Sequence, residues 1–291
     1  MNHTSRLKKL PLVFRRLTGI TPEKFDEILV QLTPLYRAWN LNRLSRRERK
    51  RKIGGGHPFC LHLEDRLLML LIYYRTYTTH MFLGFMFGVR DSSVSRNINP
   101  LQPLLAQIFR IPERRVSLSK DEIAELFFDG TEQSVHRPQQ GQRKWYSGKK
   151  KRHTIKHQIV VVKKRKRPGV RRGQKRKLRI AAVSKSFGGH THDKKIYDTT
   201  RTTTPPGVPK TSDTGYIGTV MHTPHKKPRK KELTARQKRG NRRLSSRRIV
   251  VEHGIGKMKI WRMIRDVYRN LRSDHTLVMK NIAGLHNIMY A

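Results

Sequence analysis

Apolar positions along the chain fall into two regimes. Over roughly the first 111 residues they recur at helical spacing; beyond about residue 120 they gather into short strand-like runs, with helices after them. Phe25, Ile28, Leu29 and Leu32 form a helical stripe behind Thr21 as cap and Pro22 in the first turn, and Pro34 is expected to end it. Glu64 to Tyr74 carries Leu67, Leu68, Leu70, Leu71 and Tyr74, which predicts a buried helix. Thr78 or Thr79 can cap a second short helix with Met81, Phe82, Phe85 and Met86. Gly88 supplies a turn, and Asp91 or Ser92 opens a third helix, Ser92–Ile98. Pro100 and Pro103 are expected to interrupt before the apolar segment Leu104 to Ile111. Farther on, Leu126, Phe127 and Phe128 form a short apolar run that stops at Asp129. Ile155 to Val162 and Leu178 to Phe187 read as strands, with Gln140–Gly148 and Lys163–Lys177 as their connections. Arg247 to Ile264 reads as one helix, partly covered by Ile249, Val250, Ile255, Met258, Trp261 and Met263. A last helix, Asp274 to Tyr290, follows an Asp cap. Strands followed by helices predict a mixed α/β domain of the α+β kind behind an all-α one.

Helix, glycine turn, then a short polar helix is the helix-turn-helix pattern. Ser93, Ser95, Arg96 and Asn97 would face base edges and phosphates, while Val94 and Ile98 hold the helix to those behind it. A plain three-helix packing module with a polar outer face fits the same segment equally well. Six of the seven residues Arg46–Lys52 are basic, and Gly54–Gly56 follow, which places a boundary there. The expected division is 1–58, a basic helical segment and linker; 59–111, the helix-turn-helix; and 120–291, the α/β domain.

Charge turns this outline toward function. The 291 residues hold 65 Lys and Arg against 20 Asp and Glu, a net charge of +45. Solubility does not explain so large an excess; a polyanion does, nucleic acid before an anionic membrane. The charge is concentrated: Arg143–Lys177 has 17 basic residues and no acid, and Lys226–Arg248 has 12 with only Glu232 opposing them. Neutralising such runs would release counterions and make binding steeply salt-dependent. The single cysteine, Cys60, excludes a disulfide framework and a cysteine-based zinc site. The longest apolar run, Leu67 to Tyr74, is far short of the roughly 20 residues a spanning helix needs, and no export signal is expected.

With so few acids, those in apolar surroundings are informative. Asp129 closes an apolar run, Asp193 follows His190-Thr191-His192, Asp213 lies in a turn, and Glu252 lies among apolar residues of a helix. Converging, they would make an oxygen-rich site for a hard cation such as Mg²⁺. Three of them have a plainer role open: Asp129 and Asp213 as turn caps beside Gly130 and Gly215, and Glu252 paired with Arg248 one helical turn away. His190 and His192 could bind zinc, but no second ligand pair stands at metal spacing.

The chain resembles the DDE transposases of bacterial insertion sequences, in the branch that also resembles the eukaryotic Harbinger-type transposases. The likeness rests on Phe128-Asp129-Gly130-Thr131-Glu132, Arg137-Pro138, and Tyr146-Ser147-Gly148-Lys149-Lys150-Lys151-Arg152-His153-Thr154. It continues through Gly189-His190-Thr191-His192-Asp193, Asp213-Thr214-Gly215-Tyr216-Ile217-Gly218, and Asn241 to Ser245 with Arg248, Glu252 and Lys259. The Leu61–Ile98 segment is also similar to the helix-turn-helix that precedes the catalytic domain in that family. The resemblance implies an RNase H-like catalytic domain in which Asp129, Asp213 and Glu252 are the catalytic, metal-binding carboxylates. Asp193 corresponds to a further acid, as a metal ligand or as support. Arg248 and Lys259, on the two sides of Glu252, and the Lys149, Lys150, Lys151, Arg152 turn would contact DNA.

The activity so implied is cleavage at the ends of an insertion sequence and joining of the 3′-hydroxyl ends to target DNA. The expected cofactor is Mg²⁺ or Mn²⁺, two ions, and the partner is double-stranded DNA, both element ends and target, with no membrane. A homodimer or larger assembly would bring two ends together. The protein is expected in the cytoplasm, on the nucleoid, of a bacterium or in the nucleus of a eukaryote. A transposase-derived protein that only binds DNA, and an RNase H-like nuclease without strand transfer, are the other readings.

Overall fold

Among the described residues, the helical stripes of the first third become seven helices: α1 (His3–Lys8), α2 (Pro11–Thr18), α3 (Pro22–Ser45), α4 (Leu63–Thr76), α5 (His80–Phe87), α6 (Asp91–Ile98) and α7 (Leu101–Phe109). The structure, a computed structural model, describes residues 3–45, 59–165, 178–229 and 231–290. It divides into two units, Met1–Arg110 with Ile260–Met263, and Ile111–Lys259 with Ile264–Ala291. The Arg46–Lys52 run, Gly54–Gly56 and the basic loop 166–177 lie outside the described residues.

In the first unit α4 is the central helix. Leu67 to Tyr74 are buried without a break, so its apolar residues surround the helix rather than stripe it. Its buried Asp65 accepts hydrogen bonds from the Thr4 amide (2.8 Å) and hydroxyl (2.7 Å), which ties α1 to it. The Thr79 hydroxyl caps α5 by accepting from the Phe82 amide, and Gly88, at φ 64°, closes that helix. On α6, Val94 and Ile98 are buried, while Arg96 is exposed and Ser93, Ser95 and Asn97 are partly so.

Three expectations here are corrected. Pro34 does not end α3, which continues to Ser45. The proline deletes only one helical amide, and Leu32 and Tyr36, buried on either side of it, hold the helix in place. The residue preceding α6 is Arg90, with Asp91 inside the helix. Pro103 sits in the first turn of α7, where an amide has no intrahelical acceptor to lose.

The second unit is a mixed sheet with helices. Its elements are β1 (Ile123–Ser134), α8 (Gln142–Trp145), β2 (Tyr146–Ser147), β3 (Arg152–Lys164), β4 (Leu178–Val183), β5 (Phe187–Gly188), α9 (Asp193–Thr200), β6 (Lys210–Thr211), α10 (Ala235–Met258) and α11 (His275–Tyr290). β3 pairs antiparallel with β1 on one side and with β2, β5 and β4 on the other; β6 adds parallel to β1. Asp129 faces Ile159 across the β1–β3 ladder, and Phe127 faces Thr211 across β1–β6. Leu126, Phe128, Val160, Val162 and Tyr216 pack into the core of one face. On the other, Gly254 of α10 faces Val161, with room between them for a Cβ at ordinary contact distance. This is the α/β architecture expected, behind an all-helical unit.

Boundaries shift here as well. β1 begins three residues before the apolar run and ends five after Asp129. β4 stops at Val183, and Phe187 belongs to the separate strand β5. α10 starts at Ala235 rather than Arg247, opened by a Thr234–Gln237 capping box, and ends at Met258 rather than Ile264. Trp261, expected on that helix, belongs instead to the helical unit. There its indole donates to the Thr18 carbonyl at 3.2 Å. α11 begins at His275, with Asp274 ending a 3₁₀ turn before it.

A buried histidine pair links β3 to α11. His157 Nδ1 lies 2.8 Å from the Ser184 carbonyl, and its Nε2 lies 2.7 Å from His275 Nδ1. His275 Nε2 lies 2.6 Å from Gln133 Oε1 on β1. Burial lowers the His157 pKa to about 4, the Ser184 carbonyl partly opposing, and burial also holds His275 well below the ordinary value.

Candidate active site

β1 delivers Asp129 to the sheet's centre. Its Oδ1 accepts from the Gly130 amide at 2.9 Å. β6, next door, ends where Asp213 begins a 3₁₀ turn; Asp213 Oδ1 caps that turn by accepting from Gly215 at 2.9 Å. Asp193 opens α9, after His192 has capped the helix by accepting from the Lys194 amide.

Two glycines let these acids approach. A Cβ on Gly130 would fall 3.0 Å from Asp193 Oδ1. A Cβ on Gly215 would fall 2.9 Å from Asp193 Oδ2 and 3.0 Å from Asp213 Oδ1, so both carboxylates face that one position. A side chain at either position would push these carboxylates aside.

The electrostatics follow. Burial, then the charge of Asp213, pushes the Asp129 pKa up to about 6; Arg248 and the Gly130 amide oppose this, and Asp193 adds a smaller push. Beside them the Tyr216 hydroxyl is buried and has no hydrogen-bond partner among the described residues. Burial and the charges of Asp193, Asp129 and Asp213 hold its phenol well above the ordinary range. Carboxylates gathered around the raised Asp129, next to an orphaned hydroxyl, form an oxygen donor set that fits a hydrated divalent cation. Among the described residues, no group of three carboxylate, imidazole or thiol side chains stands as a ready-formed ion site.

Glu252 is exposed on α10, one turn past Arg248, whose charge reaches Asp129. Lys259 follows the end of α10 and is partly exposed. Lys149, Lys150, Lys151 and Arg152 are exposed in the turn between β2 and β3. His190 is exposed, and His192 serves as a helix cap.

Lys156 escaped sequence reasoning. It is largely buried on β3, donates to the Thr191 carbonyl at 3.1 Å and lies 3.6 Å from Asp193 Oδ1. The signal was a lone lysine between Ile155 and His157 inside an apolar strand. It gives Asp193 a cation of its own, which Asp129 lacks at that range among the described ion pairs.

A mixed sheet with aspartates gathered where its central strand meets a parallel neighbour, on one chain with a helix-turn-helix, is an endonuclease architecture. The family described as DDE superfamily endonuclease matches residues 128–287, and the helix-turn-helix of DDE superfamily endonuclease matches residues 59–111. The chain belongs to the DDE superfamily endonucleases. It is 29% identical over 283 residues, 94% of this chain and 93% of the relative, to the probable transposase for insertion sequence element IS702 of Microchaete diplosiphon. It is 27% identical over 274 residues, 93% and 92% of the two chains, to the putative transposase for insertion sequence element IS112 of Streptomyces albus G. No solved structure matches it.

Proposed function

We propose that the protein is a DNA transposase that cuts the ends of an insertion sequence and joins the freed 3′-hydroxyls to target DNA. One observation carries the reading. A chain with 45 surplus positive charges gathers Asp129, Asp193 and Asp213 beside its central strand and tolerates a carboxyl raised to about 6. A protein that only held DNA would have no use for concentrated negative charge where the phosphates must come.

Asp129, Asp213 and Glu252 hold the divalent cations, Mg²⁺ or Mn²⁺, with Asp193 as a further ligand or support. A bound pair of such ions supplies Lewis-acid stabilisation of the attacking and leaving oxygens of a phosphodiester. The protein's own part is binding and positioning. Arg248 and Lys259 meet the DNA end near the carboxylates. The Lys149–Arg152 turn clamps the backbone, and Ser93, Ser95, Arg96 and Asn97 on α6 read the element's ends. Water attacks in the cutting step and the 3′-hydroxyl in the joining step, so no side chain acts as nucleophile. Two ends joined in one event call for a dimer or larger assembly on DNA, in the compartment that holds the DNA. No described helix is long and apolar enough to cross a membrane.

Labelled inverted-repeat ends incubated with protein, target plasmid and Mg²⁺ test this. Cut ends and joined products are expected, both absent for Asp129→Ala and Glu252→Ala. Cutting without joining would mean a simple nuclease; binding without cutting, a DNA-binding derivative. Cutting by Asp129→Ala at the parental rate would remove the metal-site assignment.

A further inference from the structure

Behind the aspartates lies a second carboxylate that neither metal nor DNA accounts for. Glu125, on β1, is only 5% exposed. Its Oε1 accepts from the Thr211 hydroxyl of β6 at 2.7 Å and from Arg247 Nη2 of α10 at 2.7 Å. Its Oε2 lies 3.3 Å from Arg247 Nε, which completes a two-pronged guanidinium contact. Thr211 is wholly buried.

The positions of these three residues are what matters. Glu125 precedes Asp129 by four residues on the same strand, hence on the same face of the sheet. Thr211 precedes Asp213 by two, and Arg247 precedes Glu252 by five, next to Arg248. One buried carboxylate therefore joins the three elements that carry the three acids. β6 spans only two residues and pairs with β1 through Leu126 and Phe127 alone. On its other side β6 meets, among the described residues, only His222, through the Ser212 amide (3.1 Å) and the Lys210 carbonyl (2.8 Å), and the Thr211–Glu125 bond is the side-chain tie that adds to these backbone pairings. α10 meets the sheet through few apolar side chains near here, since its first half is largely basic and exposed. A charge-assisted bond, buried at its carboxylate end, sets its position along the sheet where packing does not.

We propose that Glu125 is a positioning residue: by holding Thr211 and Arg247 on one buried carboxylate, it fixes the spacing of Asp129, Asp213 and Glu252. This rests on the reading of those three acids as the metal-holding set. The ions would bring three like charges together, and that is favourable only if the elements beneath are already held in place.

The test is Mn²⁺ binding to the full chain, followed by electron paramagnetic resonance of the free ion, beside thermal melts in chelator. Asp129→Asn serves as control. Thr211→Val and Glu125→Gln are expected to fold, by circular dichroism, and to lose about 10–100-fold in Mn²⁺ affinity, as loss of a ligand's supporting hydrogen bond does elsewhere. Thr211→Ser keeps the hydroxyl and should recover the affinity that Thr211→Val loses. A merely structural trio would lower the metal-free melting temperature and leave the affinity of the folded variants at the parental value; that result overturns the proposal. Should Thr211→Val unfold, Arg247→Met provides the same comparison from the exposed end of the trio. If Asp129→Asn binds Mn²⁺ as the parent does, the metal reading fails and this one with it. Parental binding lost in Asp129→Asn but kept in the trio's variants removes the positioning role alone.

Discussion

Asp129 and His157 occupy neighbouring strands two residues apart in register, since His157 pairs with Thr131 and Asp129 with Ile159. Each belongs to a buried polar group, and the two groups treat burial differently. Around His157 each of four ring nitrogens has a polar neighbour at 2.6 to 2.8 Å, except that His275 Nδ1 and His157 Nε2 serve each other. Burial there lowers both ring pKa values, yet the line ends on a carbonyl oxygen at each end and so wants three ring protons, one more than two neutral imidazoles carry. Around Asp129 burial pushes toward neutrality too, but two more aspartates add to the push and a hydroxyl is left with no partner. In the first cluster every ring nitrogen has a polar neighbour within the chain. The other is complete only with something added, and this is the mark of a site as against a brace.

The largest predicted effect breaks that comparison at its functional side. Asp129→Asn should abolish cleavage while making the metal-free protein more stable at pH 7.5. A carboxyl whose pKa is raised holds its proton more tightly when folded, so ionising it costs folding free energy. That cost is absent below the model-peptide value of 3.8 and complete above about 6. The gain for Asp129→Asn is at most roughly 3 kcal/mol, read from chemical denaturation in chelator. Equal stability of the two proteins would show that the aspartate is not under strain.

On the other side, His157→Ala should destabilise by roughly 2–4 kcal/mol, through lost volume and the orphaned Ser184 carbonyl and His275 ring. Its folded fraction should bind Mn²⁺ as the parent does. A loss of metal affinity there would mean that the two clusters are one.

Acid titration sharpens the contrast, because the signs are opposite. A histidine with a depressed folded pKa contributes stability at high pH that is lost as pH falls from 6.5 toward about 4. Asp129 returns stability over much of the same interval. Melting temperature between pH 7 and 4 should therefore fall more steeply in Asp129→Asn than in the parent, and less steeply in His157→Ala. Parallel curves for all three would refute the assignment. The smallest effect concerns charge outside both clusters. Replacing Lys149, Lys150 and Lys151 by alanine should weaken DNA binding evenly across sequences and lower the slope of log affinity against log salt by about 0.9 per lost phosphate contact.

What was legible in the sequence tracks the physics of each element. The helices around α4 to α6 were readable because caps, a glycine at positive φ and apolar spacing all agree there. Asp129 was readable because a carboxylate ends an apolar run. β6 was not, because Lys210 and Thr211 are polar and Thr211 is buried by hydrogen bonding rather than by apolarity. Glu125 is hidden for a related reason: it stands just before the apolar run Leu126–Phe128, and an acid there looks like a boundary. The first twelve residues of α10 carry charges that need no core, so their pattern has no period to find. The plainer role for Asp213 as a turn cap is also present, and the same carboxylate serves it while facing Asp193.

Trp261 has a consequence of another kind. It is fully buried in the helical unit, hydrogen-bonded to Thr18, and Gly19, at φ 85°, lies so close that a Cβ there would come within 2.6 Å of the indole nitrogen. A core built from the first hundred residues thus waits for a side chain made about 150 residues later. At roughly 5–20 residues per second that is a delay of roughly 8–30 s on the ribosome. Through that interval the amino-terminal helices lack their largest interior group, so nascent or truncated chains ending at Arg110 are born with an unfinished first unit. The helical unit is finished only once most of the second unit has been translated.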